Sequence, residues 1–553
     1  MRLFIVNFAL FLSISVFAQE FEFKAEDIDI PHTKYTLPNG LKLIVHEDHK
    51  APSVAVNDWY QVGSKDEKPG KSGFAHLFEH LMFNGSENFN DDYFQALERI
   101  GGTDLNGTTN NDRTNYFQNV PVSSLDQVLF LESDRMGHLL GVIDQERLEE
   151  QRGVVQNEKR QGENQPYGRQ YDLITKAMFP KGHPYSWTVI GEMEDLNAAS
   201  LEDVQEWFKT YYGPNNAVIA IAGDVEAEDM YQRVLKYFGH IPAGPTLAKY
   251  QQSIPTRTIE TRQVYQDRVP EIRLVQVWNT PKFGDREDAH FDLVSSILTT
   301  GKNSRMFKKL VYEDQTASSV NSFQWSKEIS SNFVIQANVK PCQSAEQVEN
   351  TLNQVLLDFL ESGPTQEELN RAKSSYFSGF IKGMERIGGF GGKTDILARS
   401  ATYFDDPEYY KVQLQHVSEA TTADLKNTAK KWLNQGKHTL VCVPFPEYSV
   451  TTSEVDRSAL PELGTPVSAT FPELKKTTLD NGMKVVLAQR SDVPTVVMNL
   501  LVDAGYASDQ FAAAGTAALA MNMMDEGTEN LSALEINEKL QLLGASLYSG
   551  SDL

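Results

Sequence analysis

His76, Glu79 and His80 fall within one five-residue run, His-Leu-Phe-Glu-His. On a helix, residues four apart project from one face about a turn apart, so both imidazoles can reach a single divalent ion. Glu79 follows His76 by three and lies beside the same face, where a carboxylate can take a proton from a water that the ion acidifies. Two nitrogen ligands and a base make half of a zinc hydrolase site, which still needs a third ligand and an open position. The alternative is two surface histidines on an ordinary amphipathic helix. Phe74, Leu77, Phe78, Leu81, Met82 and Phe83 oppose it, because they predict a largely buried helix whose imidazoles and carboxylate need partners.

Two further segments bear on that helix. Leu148 to Gln161 reads as a second, charge-rich helix with Leu148, Val154 and Val155 as its apolar contacts; it carries Glu149, Glu150, Gln151 and Glu158. Gly102 to Thr109 has strand-forming residues, with Gly102 and Gly107 where a backbone could approach closely. A Gly/Asn turn between two strands is the competing reading of that segment.

The chain resembles the pitrilysin, insulysin and mitochondrial processing peptidase family of zinc metallopeptidases, whose H-x-x-E-H order marks the inverzincins. The residues that carry the resemblance are Leu37-Pro-Asn-Gly-Leu-Lys-Leu-Ile-Val, Gly73-Phe-Ala-His-Leu-Phe-Glu-His-Leu-Met-Phe-Asn-Gly, Gly101-Gly-Thr-Asp-Leu-Asn-Gly-Thr-Thr and Asp112-Arg-Thr-Asn-Tyr116. They continue in Val154-Val-Gln-Asn-Glu158, His183-Pro-Tyr185, Tyr212-Gly-Pro-Asn-Asn-Ala217 and Ala222-Gly-Asp224, and more loosely to about residue 445. The resemblance implies one zinc per chain held by His76, His80 and Glu158, with Glu79 as general base. It also implies an edge strand that pairs with an extended peptide through Asn106, Gly107 and Thr108. Many relatives carry an acidic residue where this chain has Gln151. Gln151, with Glu150 beside it, is therefore the expected support around the ligands, able to orient but not to add charge.

The chain also repeats itself. Thr36-Leu-Pro-Asn-Gly returns as Thr478-Leu-Asp-Asn-Gly at an offset of 442 residues, which also aligns Gly73 with Gly515 and Gly85 with Gly527. At that offset His76, Glu79 and His80 become Ala518, Met521 and Asn522, so the second copy lacks the chemistry. The expected class is α+β, with tandem homologous domains that each pack helices on a mainly antiparallel sheet, plus an incomplete third domain. The expected boundaries are a signal peptide at 1–18, a zinc-binding peptidase domain at 30–245 and a second α+β domain at 260–446. A Pro-rich linker at 447–474 and a truncated, non-catalytic repeat at 475–553 complete the order. That repeat should leave an apolar face open, covered by a missing C-terminal half or a second peptidase-like subunit.

Arg2, the apolar stretch Leu3 to Phe17 and Ala18 read as a cleavable secretory signal, which places the protein in the periplasm or outside the cell; an uncleaved anchor is the alternative. No later run reaches transmembrane length. A net charge of -24 and a pI near 4.9 argue against nucleic acid or anionic membrane as partners. Cys342 and Cys442 are compatible with one disulfide or with two separate thiols. His183 before Pro184 reads as structural, and Gly388-Gly-Phe-Gly-Gly392 reads as a flexible helix–helix connection. The expected function is a secreted zinc metalloendopeptidase acting on peptides or unfolded polypeptides. Its competitors are a non-catalytic scaffold subunit and a zinc hydrolase of non-peptide amides.

Overall fold

A computed structural model describes residues 26, 28–248, 253–445, 474–489, 495–511 and 513–552. The signal peptide and nearly all of the linker at 447–474 lie outside the described residues. The fold is α+β, built on two large sheets.

The first sheet contains β1 (Thr33–Thr36), β2 (Lys42–Glu47), β3 (Ser53–Tyr60), β4 (Thr103–Thr109), β5 (Thr114–Pro121) and β6 (Ala217–Gly223). Its order is β1-β2-β6-β3-β5-β4, antiparallel throughout except for β2 beside β6. The second sheet contains β7 (Thr261–Asp267), β8 (Ile272–Thr280), β9 (Ala317–Trp325), β10 (Ser331–Val339) and β11 (His438–Pro444), in the order β7-β11-β8-β10-β9. Here β11 runs parallel to β7 and antiparallel to β8. In both sheets the last strand in sequence enters the middle, parallel to one neighbour and antiparallel to the other. The two halves share one topology.

Both sheets are covered on both faces, and part of each cover comes from the other half. The helix Lys393–Phe404 lies on β3 and β6, and Ile44, Trp59, Val218 and Ala220 of the first sheet join one apolar core with Ile396, Leu397 and Ala401. Reciprocally, the helix Gln170–Met178 sends Ile174 and Met178 against Val275, Val277 and Leu440 of the second sheet. Burial on two faces explains why β6, Ala-Val-Ile-Ala-Ile-Ala-Gly, is continuously apolar where a half-solvated strand would alternate.

The repeat begins with a hairpin of β12 (Leu474–Thr478) and β13 (Lys484–Ala488), whose turn glycine Gly482 has φ 88°, as Gly40 does in the first copy. The segment matching β3 is not a strand: Val496, Val497, Met498, Leu500 and Leu501 are exposed, with no ladder partner among the described residues. The helix Ala533–Leu542 docks on the second half, where Glu538 accepts from Arg371 at 2.7 Å and the Leu534 carbonyl accepts from Asn303 at 2.7 Å. Cys342 is exposed, Cys442 is buried within β11, and both are free thiols, so the disulfide alternative falls.

Candidate metal centre

The motif occupies α1 (Phe74–Leu81), whose start is set by Gly73 at φ 85°. A side chain there would have to sit 2.6 Å from the Ile190 carbonyl, so glycine is required on both counts. The carboxylate of Glu67 accepts from the amides of Gly73 at 3.1 Å and Ala75 at 2.8 Å, satisfying donors that a helix start leaves without partners. The repeat preserves this device: Asp509 accepts from Gly515 and Ala517 ahead of the helix Thr516–Asn522. Phe74, Leu77, Phe78 and Leu81 anchor α1 in the core, and the remaining face presents His76, Glu79 and His80.

With α2 (Tyr93–Arg99) and α3 (Leu125–Gly137) between them in sequence, α4 (Gln145–Asn164) packs across α1. Leu148 and Val155 bury against the core, but Val154 is exposed, contrary to its expected role as an apolar contact. Two turns along α4 from Gln151, Glu158 places Oε2 3.8 Å from Nε2 of His76 and 3.4 Å from Nε2 of His80. The ligand atoms of these three residues all lie within 4.8 Å of one another. Atoms bound to one tetrahedral zinc at about 2.0–2.2 Å stand roughly 3.4 Å apart, so the donor set fits the ion in kind and in spacing. Burial, reinforced by His80, pushes His76 down to about 4, and burial also lowers His80 against the opposing pull of Glu158 and Gln151. Both rings are therefore neutral near pH 7, the form that ligates.

Glu79 is buried, and one oxygen accepts from the Thr109 hydroxyl at 2.5 Å. Burial pushes its carboxyl up to about 7, with Thr109 and Arg113 opposing and Glu158 adding to the rise. Of the two residues expected to support the ligands, Gln151 is buried and bonds to His80, whereas Glu150 is exposed on α4.

β4 is an edge strand beside this group. A Cβ on Gly107 would lie 2.6 Å from the Phe83 ring and 3.1 Å from Oε1 of Glu79, so only glycine lets the backbone pass this close. Asn106 is exposed, and the Thr108 hydroxyl donates to Asn115 at 2.6 Å. Three participants escape sequence reasoning. Thr109 is one, although its two-residue step from Gly107 puts it on the same strand face. Arg113, whose guanidinium bonds the Thr108 carbonyl at 2.8 Å, is the second. The third is Asp112, which accepts from the hydroxyl of Tyr185 and from the amide of Glu328 in the second half. His183 accepts from the Tyr185 amide at 3.0 Å and stands apart from the ligands, as a structural role requires.

Comparison with known proteins matches residues 42–187 to Insulinase (Peptidase family M16) and residues 198–376 to the Peptidase M16 inactive domain. Zinc protease PqqE of Helicobacter pylori is 30% identical over 362 residues, covering 64% of this chain and 80% of that protein. The chain belongs to the insulinase family, peptidase family M16. The uncharacterized zinc protease YmxG of Bacillus subtilis is 24% identical over 358 residues, 64% of this chain and 84% of that one. Among solved structures, a protease from Helicobacter pylori superposes with a TM-score of 0.70 at 26% identity, covering 75% of this chain and all of that one. The periplasmic protease PqqL from Escherichia coli shares the fold with a TM-score of 0.62 at 19% identity, over 83% of this chain and 56% of that one. The metal trio lies wholly within the first matched region.

Proposed function

We propose that this family member is a zinc-dependent endopeptidase that cleaves extended peptide segments. The observation that carries the reading is one juxtaposition: His76, His80 and Glu158 converge next to a buried carboxylate, beside β4, which has no strand on its outer side among the described residues. His76, His80 and Glu158 would hold the ion. Bound zinc supplies Lewis acidity, which polarises a carbonyl and makes a water molecule easier to deprotonate. The peptide adds to β4 as a further strand, so main-chain bonds hold it largely irrespective of sequence. Thr109 fixes one oxygen of Glu79, leaving Oε1 turned towards the β4 backbone at Gly107. That oxygen takes the proton from the attacking water and returns it to the leaving amine.

The test pairs metal analysis with a peptide digest. Glu79→Gln should keep zinc near one equivalent and lose hydrolysis, while Glu158→Gln should lose zinc. Turnover by Glu79→Gln at the unaltered rate would remove Glu79 from the role of general base, and a wild type that binds zinc but cuts no peptide would return the chain to a scaffold role. Export to the periplasm is supported by the Arg2–Ala18 stretch and by the location named for PqqL. It predicts mature protein beginning at Gln19 on N-terminal sequencing; a retained Met1 would sink it. The exposed run from Val496 to Leu501 supports association with a further peptidase-like unit.

A further inference from the structure

The strand edge has two faces, and only one of them belongs to the metal. Gly107 and Thr109 face Glu79, as does their cross-strand neighbour Tyr116, which packs on Phe83 at 5.3 Å. Asn106 pairs with Phe117, so these two side chains share the opposite face. Over β3 that face is closed by the helix Lys393–Phe404, where Tyr403 meets Trp59 edge-on at 6.1 Å. The cover ends over β5, at the loop Gly388–Gly392.

That loop is tied down, which corrects its reading as a flexible connection. Gly388 lies so close to β5 and β3 that a Cβ would fall 2.1 Å from Asn119 and 2.8 Å from Ala55. Gly389 and Gly391 turn at φ 72° and 71°. The Arg386 guanidinium donates to the Phe390 carbonyl at 2.6 Å, and the Gly391 amide donates to Asp395 at 2.9 Å. At its tip Phe390 meets Phe117 edge-on at 5.1 Å, yet half of Phe390 stays exposed. A single exposed phenylalanine is ordinary on a protein surface. This one is held in a bonded loop over β5, one strand in from the open edge, in the row of side chains defined by Phe117 and Asn106.

We propose that Phe390, backed by Phe117, is the apolar wall of a subsite that takes a bulky aliphatic or aromatic side chain of the peptide on the sheet face away from the metal ligands. The inference rests on the peptidase reading. A peptide paired with β4 turns every second side chain to this face, and the residue opposite Asn106 falls in line with Phe117. Covering the exposed half of Phe390 releases water from apolar surface on both partners. Main-chain pairing then supplies general affinity, and Phe390 selects.

The zinc-loaded wild type, Phe390→Ala and Phe390→Leu are compared on a peptide library by mass spectrometry, followed by kinetics on two peptides that differ only by Phe or Ala at the preferred position. The wild type should favour bulky apolar residues at one fixed distance from the cut. Phe390→Ala should lower kcat/KM for the Phe peptide by about tenfold or more, mainly through KM, and leave the Ala peptide unchanged. Phe390→Leu should retain most of the preference. An unaltered Phe-to-Ala ratio in Phe390→Ala overturns the subsite, and so does an equal loss on both peptides, which marks a purely structural role. A wild type that cuts no peptide overturns the peptidase reading and the subsite together.

Discussion

Thr109 shows how little of a catalytic group's control lies in its own helix. Its hydroxyl reaches across from β4 to one oxygen of the buried Glu79 carboxylate. Hydrogen bonds to charged groups contribute about 1.5–3 kcal/mol, so Thr109→Val should lower kcat by roughly ten- to a hundredfold. Zinc content should be unchanged and Thr109→Ser should restore most of the rate. A valine variant with wild-type kcat would show that Glu79 is oriented without it. The legibility of the site follows the same distinction. His76, Glu79 and His80 can be read from sequence because one helix fixes their relation through spacing alone. Glu158 lies on a different helix, and its position depends on how α4 packs, so family resemblance was needed to single it out. Thr109 is bound to its partner by tertiary contact only, and the single clue was its strand parity with Gly107.

Between residue and fold, the turn joining β4 to β5 is the element that sets the open edge in place, and the second half of the chain grips it. Lys65 donates to the Asp112 carbonyl at 2.8 Å, the Asp112 carboxylate takes the Tyr185 hydroxyl and the Glu328 amide, and the Ile329 amide donates to Tyr185 at 2.9 Å. Tyr185→Phe leaves the Ile329 amide without its acceptor and Asp112 with the Glu328 amide but without the hydroxyl donor. It should cost about 1–3 kcal/mol of stability and raise KM for peptides more than it lowers kcat, because the strand edge loses its support while the metal ligands do not. Equal melting temperatures and equal KM in the two proteins would refute this. Ser53–Tyr60, Ala217–Gly223, Ile272–Thr280 and His438–Pro444 carry apolar residues at successive or alternate positions, a local pattern that marks strands. The parallel placement of β6 and β11 was not evident, since strand order depends on contacts that no local pattern encodes.

At the scale of the whole molecule, self-similarity in sequence points to the repeat expected at 475–553, and the two large sheets share one strand order. The packing crosses the interval between the expected domains at 30–245 and 260–446. Gln170–Met178 belongs by sequence to one half and by contact to the other, and Lys393–Phe404 does the reverse. Each half holds a piece of its neighbour, as in a handshake. Dividing the chain between Ala248 and Ser253 should therefore yield two fragments that copurify when produced together and are insoluble when produced alone. If either fragment were soluble and monomeric alone, the grip would be cosmetic. In that sense the unit that folds is larger than either sheet with its own helices, and one half by itself would leave a face of its sheet wet.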